Sequence, residues 1–210
     1  MAQIPVIAAN DATVAFDDSV LLHSTTFHAA AGEIWAVTGP NGAGKSTLLR
    51  AFLDSRRLTS GSCQIYGEPA QIRSRSQRAK VSALIDPIPI ARDLTLQEQL
   101  LLVAASWYGT SPESGVQTQQ LMARLGLKTL GQRFPHQVSA GQLQLFQLAF
   151  TLVRPAHVIL LDEPERHLDD SRVVIVRDLL IERARQGATL LIATHEPVLT
   201  DASHGQVLLG

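Results

Sequence analysis

Gly39-Pro40-Asn41-Gly42-Ala43-Gly44-Lys45-Ser46 matches the pattern G-x-x-x-x-G-K-[ST] at every defined position. Glycines in such a run let successive backbone N–H groups curl around an oxyanion without Cβ obstruction. A helix beginning near Gly44 adds its positive end. Lys45 is then placed to span β- and γ-phosphates, and the Ser46 hydroxyl is a hard oxygen ligand for Mg²⁺. With Gly at about 7%, Lys at about 6% and Ser+Thr at about 12%, a chance match in a chain of this length is on the order of 1 in 100. The context agrees, because an apolar strand, Ile34 to Thr38, precedes the loop and an apolar-periodic helix to Arg50 follows it.

A second set of candidate groups lies downstream. Val158 to Leu161 reads as a buried strand, and it ends in Asp162, Glu163 and Pro164. In a doubly wound sheet, ligands sit at the carboxyl ends of the strands. Asp162 there would reach a Mg²⁺ shell, and Glu163 would polarise an attacking water. Taken alone, two acids after a strand read as a solvent-facing loop pair; the phosphate loop upstream reverses that reading. His195 ends the next apolar strand, Thr189 to Thr194, and can reach the same edge. By itself it reads as a polar residue at a strand end.

The elements that must position these groups alternate. Further strands are expected at Val6 to Phe16, Thr26 to Ala29, Ser62 to Tyr66 (followed by a Gly67-Glu68-Pro69 turn) and Val81 to Ile85. Thr95 and Glu98 form a capping box opening a Leu-rich helix to about Trp107. Ser111-Pro112-Glu113, a capping serine followed by proline and an acid, starts another. Helices are also expected from Ser139 to Val153 and from Ser171 to Gln186, the latter closed by Gly187. Apolar strands without polar alternation, joined by helices, indicate an α/β fold with a mainly parallel sheet covered on both faces. An antiparallel N-terminal patch and a helical subdomain complete a single domain, with 1–86 and 154–210 as nucleotide-binding core and 87–153 as the helical part.

Composition bounds the partners. The 210 residues are 45% apolar and 18% charged, with 18 basic against 19 acidic residues and a net charge of -1. That balance excludes a basic nucleic-acid binder and an acidic disordered chain. One cysteine, Cys63, excludes an internal disulfide framework, suits a reducing compartment and reads as a small buried hydrophobe. No apolar run approaches membrane-span length and no secretory signal leads the chain, so a cytoplasmic location is expected.

Taken together, the motifs resemble the ATP-binding cassette ATPases, the nucleotide-binding subunits of ABC transporters. Gly39–Thr47 resembles that family's phosphate loop, Val138-Ser139-Ala140-Gly141-Gln142 its signature sequence, and Leu160 to Pro164 its second Walker motif. His167-Leu168-Asp169 resembles the loop that follows, Thr194-His195 the switch histidine, and Phe16 falls where the family stacks an aromatic on adenine. The resemblance implies ATP and Mg²⁺ as ligands, with Phe16, Gly39, Pro40, Asn41, Gly42, Ala43, Gly44, Lys45, Ser46, Thr47, Ser139, Gly141, Gln142 and Asp169 at the nucleotide. Glu163, His195 and Lys45 would be catalytic, and Ser46, Asp162 and Asp86 would face the metal. It also implies a second nucleotide-binding subunit paired head to tail, a separate transmembrane subunit, and a position at the inner face of the cell membrane. No nucleic acid is expected. Ser139 and Gln142 have capping-box spacing, so Ser139 would open a helix whose N–H groups can face an anion.

The chain departs from the family pattern in three ways. Asp86 stands where a glutamine is expected to touch Mg²⁺ and water, and Ala140 replaces the first signature glycine. Leu145 and Phe150 stand where arginines are expected, through repacking inside the domain or burial against another subunit, of which repacking is favoured. Gly141, Gln142, Glu163 and His195 are intact, so an active ATPase is expected. The alternatives are a soluble ABC ATPase outside transport, for which heptads and a basic stripe are missing, and a degenerate ATP-binding partner in a heterodimer.

Overall fold

In the computed structural model, residues 5–109 and 112–210 are described. In chain order the elements are β1 (Ile7–Phe16), β2 (Ser19–Ala29), β3 (Ile34–Thr38), α1 (Lys45–Ala51), β4 (Ser60–Ile65), β5 (Glu68–Pro69), α2 (Arg75–Lys80) and β6 (Val81–Leu84). Then come α3 (Leu96–Tyr108), α4 (Pro112–Arg124), α5 (Ala140–Leu152), β7 (Val158–Asp162), α6 (Asp170–Arg185), β8 (Thr189–Ala193), α7 (Pro197–Thr200) and β9 (Gly205–Leu208). The chain divides into two bodies: one holds the chain up to Ile85 with Ala156–Glu163 and Arg177–Gly210, the other Asp86–Pro155 with Pro164–Val176.

The first body carries both sheets. A parallel sheet runs in the order β6-β7-β8-β3-β9, and an antiparallel sheet in the order β2-β1-β4-β5. Every residue of β8, and Val158 to Leu161 of β7, is buried. That is why these strands read as unbroken apolar runs: both faces of the parallel sheet are covered. Between the sheets lies α1, whose Leu48, Leu49 and the adjoining Phe52 are fully buried with Val37, Leu160 and Leu191 on one side and Leu22 and Ile65 on the other. The Phe27 ring packs edge-on against Phe52 at 5.8 Å and tilted against Trp35 at 5.5 Å. Cys63 joins this core, and burial pushes its thiol up to about 12.

Several local expectations change. The turn expected over Gly67-Glu68-Pro69 lies earlier, at Tyr66-Gly67, because Glu68 and Pro69 pair with Ile65 and Gln64 as a short edge strand. Proline is tolerated there because an edge strand needs no outward donor. The strand expected at Thr26–Ala29 begins at Ser19. Register shifts against β1 between Ala9 and Ala12, and again on either side of Val14, break the two-residue alternation that would have revealed it. The short helix α2 and the edge strand β9 were not anticipated. The capping role expected of Ser111 lies outside the described residues.

The second body is helical. Thr95 Oγ1 accepts from the Glu98 N–H at 3.3 Å, and Glu98 Oε2 accepts from the Thr95 N–H at 2.8 Å, completing the box that opens α3. The Thr95 N–H, then the Thr95 hydroxyl, which donates to Glu98 Oε2 at 2.7 Å, hold the Glu98 carboxyl below its ordinary range. Leu96, Leu100 and Ala104 are buried along α3, and the Arg154 guanidinium lies over the Trp107 ring, 4.6 Å from its centre. On α5, Leu145 is 3% exposed and Phe146 fully buried, the latter 6.2 Å from the Phe150 ring. Leu145 is thus buried within a single copy of the chain, as repacking requires, whereas Phe150 is half-buried.

Two stability changes follow. Replacing Leu145 with Arg, the residue type the family pattern leads one to expect, buries a charge in an apolar setting and should cost about 3–5 kcal/mol in urea unfolding. Thr95→Ala, which removes one half of the box at α3, should cost about 1 kcal/mol. An unchanged unfolding midpoint in either variant would contradict the packing described.

Candidate functional site

The chain leaves β3 at Thr38 and turns through Gly39–Gly44 into α1. Gly39, Gly42 and Gly44 all have positive φ, at 141, 86 and 97°. A Cβ on Gly39 would lie 2.1 Å from the Leu209 carbonyl oxygen, and one on Gly44 2.4 Å from that of Leu21. At Gly42 nothing lies within 4 Å. The loop is therefore pressed between two backbone segments at its ends and open at its middle. Pro40, Asn41 and Gly42 are exposed there, while Ser46 and Thr47 are half-buried in the first turn of α1. Lys45 is only 7% exposed, and its ammonium donates to the carbonyls of Gly39 at 2.8 Å and Pro40 at 3.1 Å. A positive charge thus sits inside the curl, held by neutral oxygens.

Parallel pairing brings the downstream groups to the same edge of the sheet. Asp162, the last residue of β7, pairs with Ala193, and β8 lies between β7 and β3. The Glu163 N–H donates to the Ala193 carbonyl at 2.9 Å, and the Thr194 N–H to that of Val37 at 3.2 Å. Glu163 has φ of 48°, left-handed backbone that costs a non-glycine residue on the order of 1 kcal/mol and clusters at functional sites. His195 follows β8 and is exposed. The phosphate loop, Asp162, Glu163 and His195 thus all leave the carboxyl ends of adjacent strands β3, β7 and β8. Phe16, at the end of β1, is 69% exposed.

The remaining candidates belong to the second body. Ser139 caps α5: its Oγ accepts from the Gln142 N–H at 3.3 Å, and Gln142 Oε1 accepts from the Ser139 N–H at 2.9 Å. Ser139 and Ala140 are exposed, whereas Gly141 is buried, and a Cβ there would lie 2.5 Å from the His167 carbonyl oxygen. Gln144 Nε2 donates to the Pro164 carbonyl at 3.2 Å. Asp169 accepts from Ser171 Oγ at 2.6 Å and from the Arg172 N–H at 3.0 Å; the Ser171 hydroxyl, then the Arg172 N–H, hold its carboxyl below the usual range. Asp86 is exposed and forms an ion pair with Arg166. Sequence reasoning did not find Arg166, nor the Leu209 and Leu21 carbonyls that wall the loop, because no local spacing connects residues so far apart along the chain.

The donors available suit a hard cation that keeps most of its own shell. Among the described residues, no three His, Cys, Asp or Glu side chains cluster as a metal cage. The Ser46 hydroxyl and the Asp162 carboxylate are oxygen donors, and Mg²⁺ is typically held by one or two carboxylates plus water and substrate phosphates. The open face at Gly42, in a loop whose Gly39 and Pro40 carbonyls hold the Lys45 ammonium, suits a polyphosphate. No helix among the described residues is long and apolar enough to cross a membrane.

Known proteins resemble this chain in sequence and in fold. Residues 22–166, more than half of the chain, match the model of the family described as ABC transporter. The Nod factor export ATP-binding protein I of Burkholderia pseudomallei is 31% identical over 184 residues, covering 86% of this chain and 59% of that protein. The Fe(3+) ions import ATP-binding protein FbpC 2 of Haemophilus influenzae is 28% identical over 198 residues, covering 91% of this chain and 55% of that protein. The chain thus spans a little under six tenths of the length of these relatives. The fold matches that of the ATP-binding cassette MJ0796 in a dimeric, post-hydrolysis state bound to ADP and Pi, with a TM-score of 0.83 over 97% of this chain and 94% of that one at 21% identity. With the motifs in family order, the two sheets in place and the family match spanning most of the chain, this protein belongs to the ABC transporter family.

Proposed function

We propose that the chain binds and hydrolyses ATP with Mg²⁺, pairs head to tail with a second nucleotide-binding subunit, and powers a separate transmembrane subunit from the cytoplasmic face of a membrane. The single observation that carries this reading is the curled, glycine-dependent loop with Lys45 buried inside it, on the same sheet edge as Asp162, Glu163 and His195. Lys45 would exchange the Gly39 and Pro40 carbonyls for phosphate oxygens, a trade of neutral acceptors for anionic ones that strengthens both hydrogen bonds. The backbone of Gly39, Pro40, Asn41, Gly42, Ala43 and Gly44, with Ser46 and Thr47, would wrap the phosphates, and Phe16, exposed on β1, would stack on the adenine. Ser46 and Asp162 would hold Mg²⁺, which supplies charge neutralisation on the phosphates.

Glu163 would orient and deprotonate the attacking water, and His195 would hydrogen-bond the terminal phosphate. Ser139, Gly141, Gln142 and Asp169 of one copy would complete the site of the other, the exposed start of α5 facing the nucleotide. Closure on bound nucleotide and reopening after hydrolysis make two states biased by one ligand, the minimum a motor needs. The relatives named for export and for import are both similar to this chain, so neither direction of transport is favoured.

Purified Glu163→Gln protein should bind ATP as the parent does, while phosphate release falls about 10²-fold or more, the usual contribution of a positioned base. Equal turnover in parent and variant would remove Glu163 from its role. Lys45→Ala should weaken ATP binding by about 10- to 100-fold, the loss of charge-assisted hydrogen bonds to phosphate. If calorimetry finds no ATP affinity in the parent protein, the whole reading fails.

A further inference from the structure

The residue that departs from the expected glutamine has a specific partner. Asp86 is the first residue of the second body, and its carboxylate meets the Arg166 guanidinium, 80 positions along the chain. Arg166 is presented by a turn in which the Leu168 N–H donates to the Glu165 carbonyl at 3.0 Å and His167 adopts left-handed backbone with φ of 65°. Both ends of this turn are anchored. On one side Gln144 on α5 donates to the Pro164 carbonyl; on the other, Asp169 caps α6 through Ser171 and the Arg172 N–H. In the middle, Gly141 lies so close to the His167 carbonyl that no side chain fits between them. Arg166 therefore projects from backbone that is already fixed, so little ordering is needed to hold Asp86.

We infer that Arg166 is a positioning residue for Asp86: the pair replaces the amide expected at position 86 with a charge-dependent tie between that residue and the segment following Glu163, itself locked to the signature helix α5. This deepens the proposed ATPase reading and rests on it for its kinetic consequence. The tie is exposed, at 43% for the Arg166 side chain and 52% for that of Asp86, so it is screened by salt and contributes little to global stability. What it supplies is a preferred position for Asp86 that neither residue achieves alone. Charge repulsion at this pair is the corresponding failure, because two like charges would push the two segments apart.

The test is a charge-exchange cycle on the full chain. Hydrogen–deuterium exchange without nucleotide should show residues 86–94 and 165–169 exchanging about two- to fivefold faster in Arg166→Gln and Arg166→Asp, with α3 and the urea midpoint unchanged. Arg166→Lys should keep most of the parent's protection, and combining Asp86→Arg with Arg166→Asp should recover it. In ATP turnover, Arg166→Gln should lower kcat severalfold with KM within twofold, and 0.5 M NaCl should lower kcat in the parent more than in Arg166→Gln. Additive exchange effects in the double variant, or Arg166→Gln protection equal to the parent's, would overturn the tie. If exchange behaves as described while the parent has no turnover, the ATPase reading fails and the tie stands. A parent that turns over with kcat unaffected by Arg166→Gln would overturn the positioning role.

Discussion

Everything at the candidate site depends on the close approach of backbone to backbone at Gly39 and Gly44. One of these glycines sits under the Leu209 carbonyl that follows β9, the other against Leu21 on β2. The first belongs to the edge of the parallel sheet, the second to the edge of the antiparallel sheet. The loop between them is therefore set by both sheets at once, and α1 leaves it at an angle fixed by the burial of Leu48, Leu49 and Phe52. A side chain at either glycine would force the sheets away from the loop. The open face at Gly42 is what remains when both ends are pinned.

The same economy appears in the second body. A buried Gly141 lets α5 rest on the His167 carbonyl, and Gln144 reaches the carbonyl of Pro164. The helix whose capped end carries Ser139 is in this way continuous with the segment after the acidic pair. Leu145 and Phe146 seal the buried side of α5 with apolar packing. The low charge of the chain has one of its causes here, since apolar side chains fill positions where arginines were expected.

What could be read along the chain was local. The phosphate loop, the capping boxes at Thr95 and Ser139, the apolar runs of β7 and β8, and the closing glycine at Gly187 each depend on residues within a few positions of one another. Their physics operates over one turn of helix or one strand. The N-terminal half of β2 and the short strand β5 escaped for the opposite reason. Bulges against β1 scrambled the alternation of β2, and β5 exists only because two residues fall opposite Gln64 and Ile65. The same holds for β9, which is a strand because β3 offers it an edge.

The sequence by itself carried the motifs from which the proposed chemistry is read, a lysine after a glycine loop and two acids after an apolar strand. It also determined the order of the longer elements, because hydrophobic period and capping are properties of short windows. Only the tertiary structure decided which groups meet. It brought Glu163 and His195 to the strand ends beside the loop through the order β7-β8-β3, placed Lys45 among carbonyls, and gave Asp86 its partner in Arg166. The first and last of these join segments far apart along the chain, and their free energy is realised only once those segments have come together.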